Sequence, residues 1–326
     1  MRVGIIGATG AVGQQMIACL NERTYVIEEL RLFASPNSVG KTFAYKGQTI
    51  TVQTVKEDSF KGLDYVLSAT SNELARQYLP LIKAAGALFI DNSSAFRLDD
   101  DVPLVVPTIN PFDAYQQQGV IANPNCSTII ALTAAAVVDR IYGVKSFHAC
   151  TYQAVSGAGV GGMHELEDQL AALSAKQEIT IATFPRQIAY NAIPCIGAFL
   201  DNGYTKEEMK MQNEGRKILH NEELLVDCTC VRVPVMRSHA IALSLHLKEK
   251  PDLAVLEEAF KNSAGIIYKA TPDYPTPLTA SDQDKVEVGR LRYDLCDEKG
   301  IALFCAGDQI RRGAASNAID IMELFI

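Results

Sequence analysis

Residues 1–22, Met1-Arg2-Val3-Gly4-Ile5-Ile6-Gly7-Ala8-Thr9-Gly10-Ala11-Val12-Gly13-Gln14-Gln15-Met16-Ile17-Ala18-Cys19-Leu20-Asn21-Glu22, decide the fold of this chain. The apolar run 1–7 reads as a short strand, and the segment from Ala11 onward has helical spacing. Between them Gly7, Gly10 and Gly13 form a GxxGxxG turn. Glycines there permit a tight turn and let the backbone approach a pyrophosphate, which the helix N-terminus stabilises. Met1-Arg2 before an apolar run imitates a signal peptide, but four glycines and Gln14-Gln15 fit strand, turn and helix better.

Outward from this unit the alternation continues. LRLFAS (30–35), DYVLSA (64–69) and ALFIDN (87–92) are short apolar runs, and ELARQYLPLIKAAG (73–86) is a helix closed by Gly86. Strands alternating with helices predict a doubly wound parallel sheet over residues 1–125. After Cys126 the texture changes. STIIALTAAAVVDRIYG (127–143) is a helix, followed by longer alternating runs at 146–156 and 225–248. Alternation of that length predicts a mixed or antiparallel sheet with one covered face. Residues 250–265 are an amphipathic helix, 286–296 and 300–307 a hairpin, TPDYPTPL (271–278) an irregular loop, and 315–326 a final helix.

The chain has 326 residues, a formal charge of −8, and 48% apolar and 21% charged residues. That length suggests two domains, and the acidic balance argues against a nucleic-acid surface. Its longest apolar stretch, Ile129–Val138, is far short of a membrane span. Eight unpatterned cysteines suggest a reducing compartment, so a cytoplasmic location is expected.

The end of the second strand bears on the cofactor. An NAD enzyme usually places Asp or Glu there for the ribose hydroxyls. Here Ala34-Ser35-Pro36-Asn37-Ser38, with Lys41 nearby, offers no carboxylate, which favours NADP. Asn123-Pro124-Asn125 precedes Cys126 at a helix start, where the dipole stabilises a thiolate able to attack an aldehyde or an acyl phosphate. A buried structural role is the ordinary reading of a cysteine, and it is kept for the other seven. Such a nucleophile needs a proton carrier. Of five histidines, His148 and His246 look structural and His164 and His220 look like surface residues. His239, among cations at a strand end, stands only modestly ahead.

Taken together, GATGAVG (7–13), NSSAFR (92–97), PNCSTI (124–129), TYQAVSGAG (151–159), GYTKEEMKM (203–211) and RVPVMRSHA (232–240) resemble the bacterial aspartate-semialdehyde dehydrogenase family, in order and over nearly the whole chain. The resemblance implies a Rossmann domain, residues 1–125 plus a C-terminal helix at about 308–326. It also implies an α/β catalytic and dimerisation domain with a mixed sheet, residues 126–307. A homodimer or dimer of dimers would be expected, with no metal.

Residue by residue, it implies Cys126 as nucleophile, His239 as acid/base, Gln153 as orienter of the intermediate and Asn125 as support. Arg232 would pair with the substrate carboxylate and Glu214 with its ammonium, while Arg97 and Lys217 would hold phosphate. Gly7, Thr9, Gly10, Ala11, Val12, Gly13, Ser35, Asn37, Ser38, Ser156, Gly157 and Asn317 fall on NADP positions. The implied reaction is NADPH-dependent reductive dephosphorylation of 4-phospho-L-aspartate, in lysine, diaminopimelate, threonine, methionine and isoleucine biosynthesis. The rivals are an N-acetyl-gamma-glutamyl-phosphate reductase, which has no ammonium to bind, and a non-catalytic NADP-binding regulator. The chain departs from the family at Asn37, where arginine is frequent, and at Glu214-Gly215, where Glu-Thr is usual.

Overall fold

The computed structural model describes residues 1–326, which fall into two units: residues 1–125 with 314–326, and residues 126–313. The first unit opens with β1 (Arg2–Ile6), α1 (Ala11–Glu22) and β2 (Glu29–Phe33). A hairpin of β3 (Thr42–Tyr45) and β4 (Gln48–Gln53) follows, then β5 (Tyr65–Ser68), α2 (Asn72–Ala84), β6 (Leu88–Asp91) and β7 (Val120–Ala122). Its seven-stranded sheet has the order β3-β4-β2-β1-β5-β6-β7, parallel except for the β3 edge. The order reverses at β1, and ligands of doubly wound sheets bind at such a switch point, beyond the strand C-termini. The turn after β1 lies there. Ser71 caps α2, and Gly86 follows it with φ +76°.

The second unit begins with α3 (Cys126–Tyr142) and β8 (Val144–Gln153), then α4 (Gly159–Ser174), α5 (Lys206–Leu219), β9 (Leu225–Arg232) and β10 (His239–Leu247). It continues through α6 (Leu253–Asn262), β11 (Ile266–Lys269), α7 (Pro277–Ala280), β12 (Val286–Tyr293) and β13 (Gly300–Gly307). The sheet order is β11-β12-β13-β10-β8-β9, with β11–β12 and β8–β9 parallel and the other pairs antiparallel. This is the mixed sheet expected from the alternation, and β12 with β13 forms the expected hairpin. One face is buried, with Phe147, Ala149, Thr151 and Gln153 of β8 at or below 3% exposure, while His148 and Tyr152 point the other way and are exposed.

The run 225–248 is two strands rather than one. Pro234 has no amide hydrogen to extend a ladder, and Ser238 takes φ +70°. The chain therefore leaves β9 and re-enters as β10 on the far side of β8. Residues 308–313 group with the second unit, where Asp308 accepts Arg237 Nε at 2.6 Å and the Asp282 amide at 2.7 Å. A π-helical turn, Arg311–Ala315, leads into α8 (Ser316–Glu323), whose Ala318, Ile319, Ile321 and Met322 join the first unit's core. No helix is long and apolar enough to cross a membrane.

Candidate active site

In the first unit, Gly7 has φ +79° and a Cβ there would meet Ala69 O at 2.2 Å; one at Gly13 would meet Gly7 O at 2.2 Å. Only glycine fits either place, so α1 starts hard against β1, as the sequence pattern requires. Beside this turn lies a cavity of about 450 Å³ that includes Gly7, Thr9, Gly10 and Ser35. Its walls also take in Leu74 and Tyr78 of α2, which sequence reasoning did not single out because they read only as helix residues. Asn37 and Ser38 belong to a 3-10 turn, Pro36–Ser38, that begins at the cavity rim, and Thr9 Oγ1 lies 3.3 Å from Ser38 Oγ. Ala11 and Val12 open α1. Asn317 donates to Asn123 Oδ1 at 2.6 Å and to Val105 O at 3.1 Å, while its own Oδ1 is buried without a partner. An orphaned amide oxygen of that kind suits a ligand N–H, and the tight turn suits a pyrophosphate, so these residues fit a dinucleotide. Arg97 is buried, with Nε on Asn123 O at 2.9 Å and Nη2 on Asn92 O at 2.7 Å. Asn125 is buried at the end of this unit.

In the second unit the parallel ladder of β8 and β9 puts Gln153 opposite Arg232 at its last rung. His239 begins β10 at the same sheet end, paired with Gly307 of β13. Cys126 opens α3, and Ile130, one turn on, lies where a Gly307 side chain would begin, 3.0 Å from that point. A Cβ on Gly313 would stand 2.8 Å from Cys126 Cβ, so the π-helical turn packs directly on Cys126. The structure thus brings Cys126, Gln153, Arg232 and His239 to one end of one sheet. Ser238, just before His239, holds its left-handed backbone through its hydroxyl on Ser281 Oγ (2.8 Å) and its amide on Gln309 Oε1 (2.7 Å). A backbone held in this sparsely populated region fixes where the next residue, His239, begins β10.

His239 is fully buried; its Nδ1 accepts the Ala154 amide at 3.0 Å, and its Nε2 lies 3.4 Å from Gln153 Nε2. Burial, aided by the Arg232 charge and opposed by Glu207, pushes its pKa down to about 3. Arg232 is also buried; Nη1 donates to Ala154 O at 2.5 Å and the guanidinium lies 5.9 Å from the Phe184 ring centre. Burial lowers its pKa, against the opposing influence of Cys126 first and then Glu207. Gly157 faces both: a Cβ there would be 2.8 Å from Arg232 Nη1 and 3.3 Å from His239 Nε2. Ser156 accepts from Gln309 Nε2.

Glu214 and Lys217 lie one turn apart on α5, Glu214 buried and Lys217 half-buried. Glu207, on the same helix, ion-pairs with Lys210 at 2.8 Å and lies 3.5 Å from Gln153 Nε2. It was not anticipated, nor was the Ala154 peptide. A pair of adjacent acids, Glu207-Glu208, was the one available signal for the former; a main-chain contact leaves none.

The sequence profile of the semialdehyde dehydrogenase NAD-binding domain matches residues 2–117, and that of the semialdehyde dehydrogenase dimerisation domain matches residues 135–312. An aspartate-semialdehyde dehydrogenase of Aquifex aeolicus is 43% identical across 100% of this chain and 98% of its own length. Aspartate-semialdehyde dehydrogenase 2 of Vibrio cholerae is 42% identical across 99% and 97%. The crystal structure of aspartate semialdehyde dehydrogenase II from Vibrio cholerae complexed with ASA superposes with TM-score 0.98 at 42% identity, covering 99% of this chain and 97% of that one. With a dinucleotide turn in one unit and Cys126, Gln153, Arg232 and His239 gathered in the other, the chain belongs to the aspartate-semialdehyde dehydrogenase family of NAD(P)-binding oxidoreductases.

Proposed function

We propose that this chain reversibly converts 4-phospho-L-aspartate to L-aspartate 4-semialdehyde through a thioester on Cys126, with NADP as cofactor. The product serves lysine, diaminopimelate, threonine, methionine and isoleucine biosynthesis. The observation that carries this reading is the convergence of Cys126, Gln153, Arg232 and His239 at one end of the second sheet.

Cys126 Sγ attacks the acyl carbon, and phosphate leaves with the electrons of the broken C–O bond. NADPH, when bound, supplies the hydride that reduces the thioester. The thiolate is then expelled and the aldehyde carbonyl re-forms. Arg232 offers a fork for the substrate carboxylate, and Glu214 an acid for its ammonium. Lys217 and Arg97 supply positive charge for phosphate, and Asn125 precedes the nucleophile it supports. His239 serves as acid/base, and Gln153 orients the bound intermediate. Gly7, Gly10, Gly13 and the first residues of α1 hold the pyrophosphate, with Ser35, Asn37 and Ser38 at the adenosine end and Ser156, Gly157 and Asn317 at the nicotinamide end. A second copy of the chain covers the half-exposed sheet face that carries Tyr152 and Phe304, giving a homodimer.

The test is phosphate-dependent reduction of NADP⁺ by L-aspartate semialdehyde, beside NAD⁺ and the N-acetyl-glutamyl analogue. Turnover with the aspartyl substrate and NADP⁺ is expected. Preference for the N-acetyl-glutamyl compound would overturn the substrate assignment.

A further inference from the structure

Between α4 and α5 the chain runs through residues 175–205 without a helix or strand of its own. A loop of that length is either functional or loose. Two side chains of α4, one turn apart, hold its first half. Glu165 Oε2 accepts the amides of Ala182 (3.3 Å), Thr183 and Phe184 (3.3 Å). Gln169 Nε2 donates to Glu165 Oε1 and to Thr180 O, each at 3.0 Å. Its Oε1 accepts the Ile188 amide at 2.9 Å and the Ala189 amide at 3.0 Å. Both side chains are buried. A carboxylate is costly to bury, and three main-chain N–H groups converging on one oxygen offset that cost.

What this loop carries bears on Arg232. The Phe184 ring centre lies 5.9 Å from the Arg232 guanidinium, within cation–π range. Further on, Ile193 N donates to Arg232 O at 2.9 Å and Arg232 N to Ile193 O at 2.8 Å. One loop therefore reaches Arg232 at its side chain and at its backbone. Phe184 joins Val155, Leu166, Ile188 and Ile193 in a buried cluster, and a Cβ on Gly162 would stand 3.0 Å from Phe184 Cζ. Leu166 follows Glu165 on α4, so one stretch of helix supplies the apolar seat for the ring and the polar anchor for its backbone. Apolar contact has no direction, whereas N–H groups aimed at one oxygen fix both position and orientation.

We infer that Glu165, with Gln169, is a positioning residue for Arg232: it pins the 182–184 backbone so that Phe184 walls the guanidinium and holds it ready for the substrate carboxylate. The role of Arg232 toward a carboxylate rests on the function proposed above; the pinned loop does not. An arginine side chain has many rotamers, and ordering it before the substrate arrives spares part of the entropy of binding. Ala154 O takes one N–H of the fork, and the Phe184 ring bounds it from the loop. Loosening the loop therefore weakens capture of the semialdehyde and leaves phosphate and the thioester chemistry alone.

The experiment compares Glu165→Ala, Glu165→Gln and Phe184→Leu with the wild type, by steady-state kinetics and by amide hydrogen exchange of the full chain. In Glu165→Ala the KM for L-aspartate semialdehyde is expected to rise about tenfold, with kcat and the KM for phosphate within about twofold of wild type. Glu165→Gln, which keeps an oxygen for the amides, is expected to recover most of that loss. Peptides covering 180–189 are expected to exchange about tenfold faster in Glu165→Ala, with those of β8 unchanged. Phe184→Leu is expected to raise the same KM, and adding Glu165→Ala to it to cost little more, since both act through one contact. A wild-type KM in either Glu165→Ala or Phe184→Leu, a kcat that falls as far as the KM rises, or additive losses in the double variant would overturn the inference. Wild-type protein that fails to turn over the semialdehyde would defeat the substrate assignment instead. The positioning is then read from labelling of Arg232 by phenylglyoxal, expected to be about tenfold faster in Glu165→Ala, and an equal rate would overturn it.

Discussion

Burying a neutral His239 makes the fold sensitive to acid in a way that one substitution should remove. Burial, helped by Arg232, takes the His239 pKa from 6.5 down to about 3. Below pH 6.5 the unfolded chain takes up this proton first, while the folded chain resists it until about pH 3. The stability tied to this group is therefore whole above 6.5 and is lost as pH falls toward 3. The slope is about 1.4 kcal/mol per pH unit, so the loss by about pH 5 is about 2 kcal/mol. His239→Gln removes the titration. It also changes packing, but that offset is constant with pH and drops out of the slope. Urea unfolding followed by circular dichroism, from about pH 8 to about pH 5 at matched protein concentration, measures both curves. The wild-type curve should fall away from the variant's below 6.5 by about 2 kcal/mol at about pH 5. Parallel curves would refute the claim that His239 stays neutral in the fold.

Three further substitutions separate the remaining roles. Gly157→Ala starts a methyl 2.8 Å from Arg232 Nη1, so it should leave thermal unfolding nearly unchanged and lower kcat/KM by about hundredfold, as misplacing a binding group does; wild-type activity would contradict the geometry. Lys217→Ala should raise the KM for phosphate in the oxidative direction with the KM for semialdehyde little changed, and steady-state kinetics in varied phosphate decide it. Asn37→Arg, in the exposed turn after β2, should tighten NADP by roughly tenfold to hundredfold through a charge-assisted contact and leave NAD unaffected, as read from kcat/KM for both cofactors.

The first unit was legible because its signals are local. Gly7 and Gly13 lie where no Cβ fits, and the apolar runs match β1, β2, β5 and β6. The β3–β4 hairpin escaped because its turn is Lys46-Gly47, with φ 47° and 79°, rather than the Asn-Gly or Asp-Gly that advertises such turns. The joining of β9 and β10 into one run has a similar cause. Val233 and Val235 keep the apolar alternation going through the break, and nothing marks Ser238 as a left-handed residue. In the candidate site, charged and nucleophilic side chains were readable from the family motifs. The Ala154 peptide was not, since its contribution is main-chain N–H and C=O, and Gly313 acquires meaning only from its approach to Cys126.

The central claim is that Cys126 carries the acyl group, and a single rapid-mixing measurement addresses it. Enzyme, L-aspartate semialdehyde and NADP⁺ are combined without phosphate, and NADPH absorbance is followed. The account predicts a burst of one NADPH per active site that then stalls at the thioester, resumes when phosphate is added, and is absent in Cys126→Ala. A burst that survives in Cys126→Ala, or steady turnover that ignores phosphate, would contradict it.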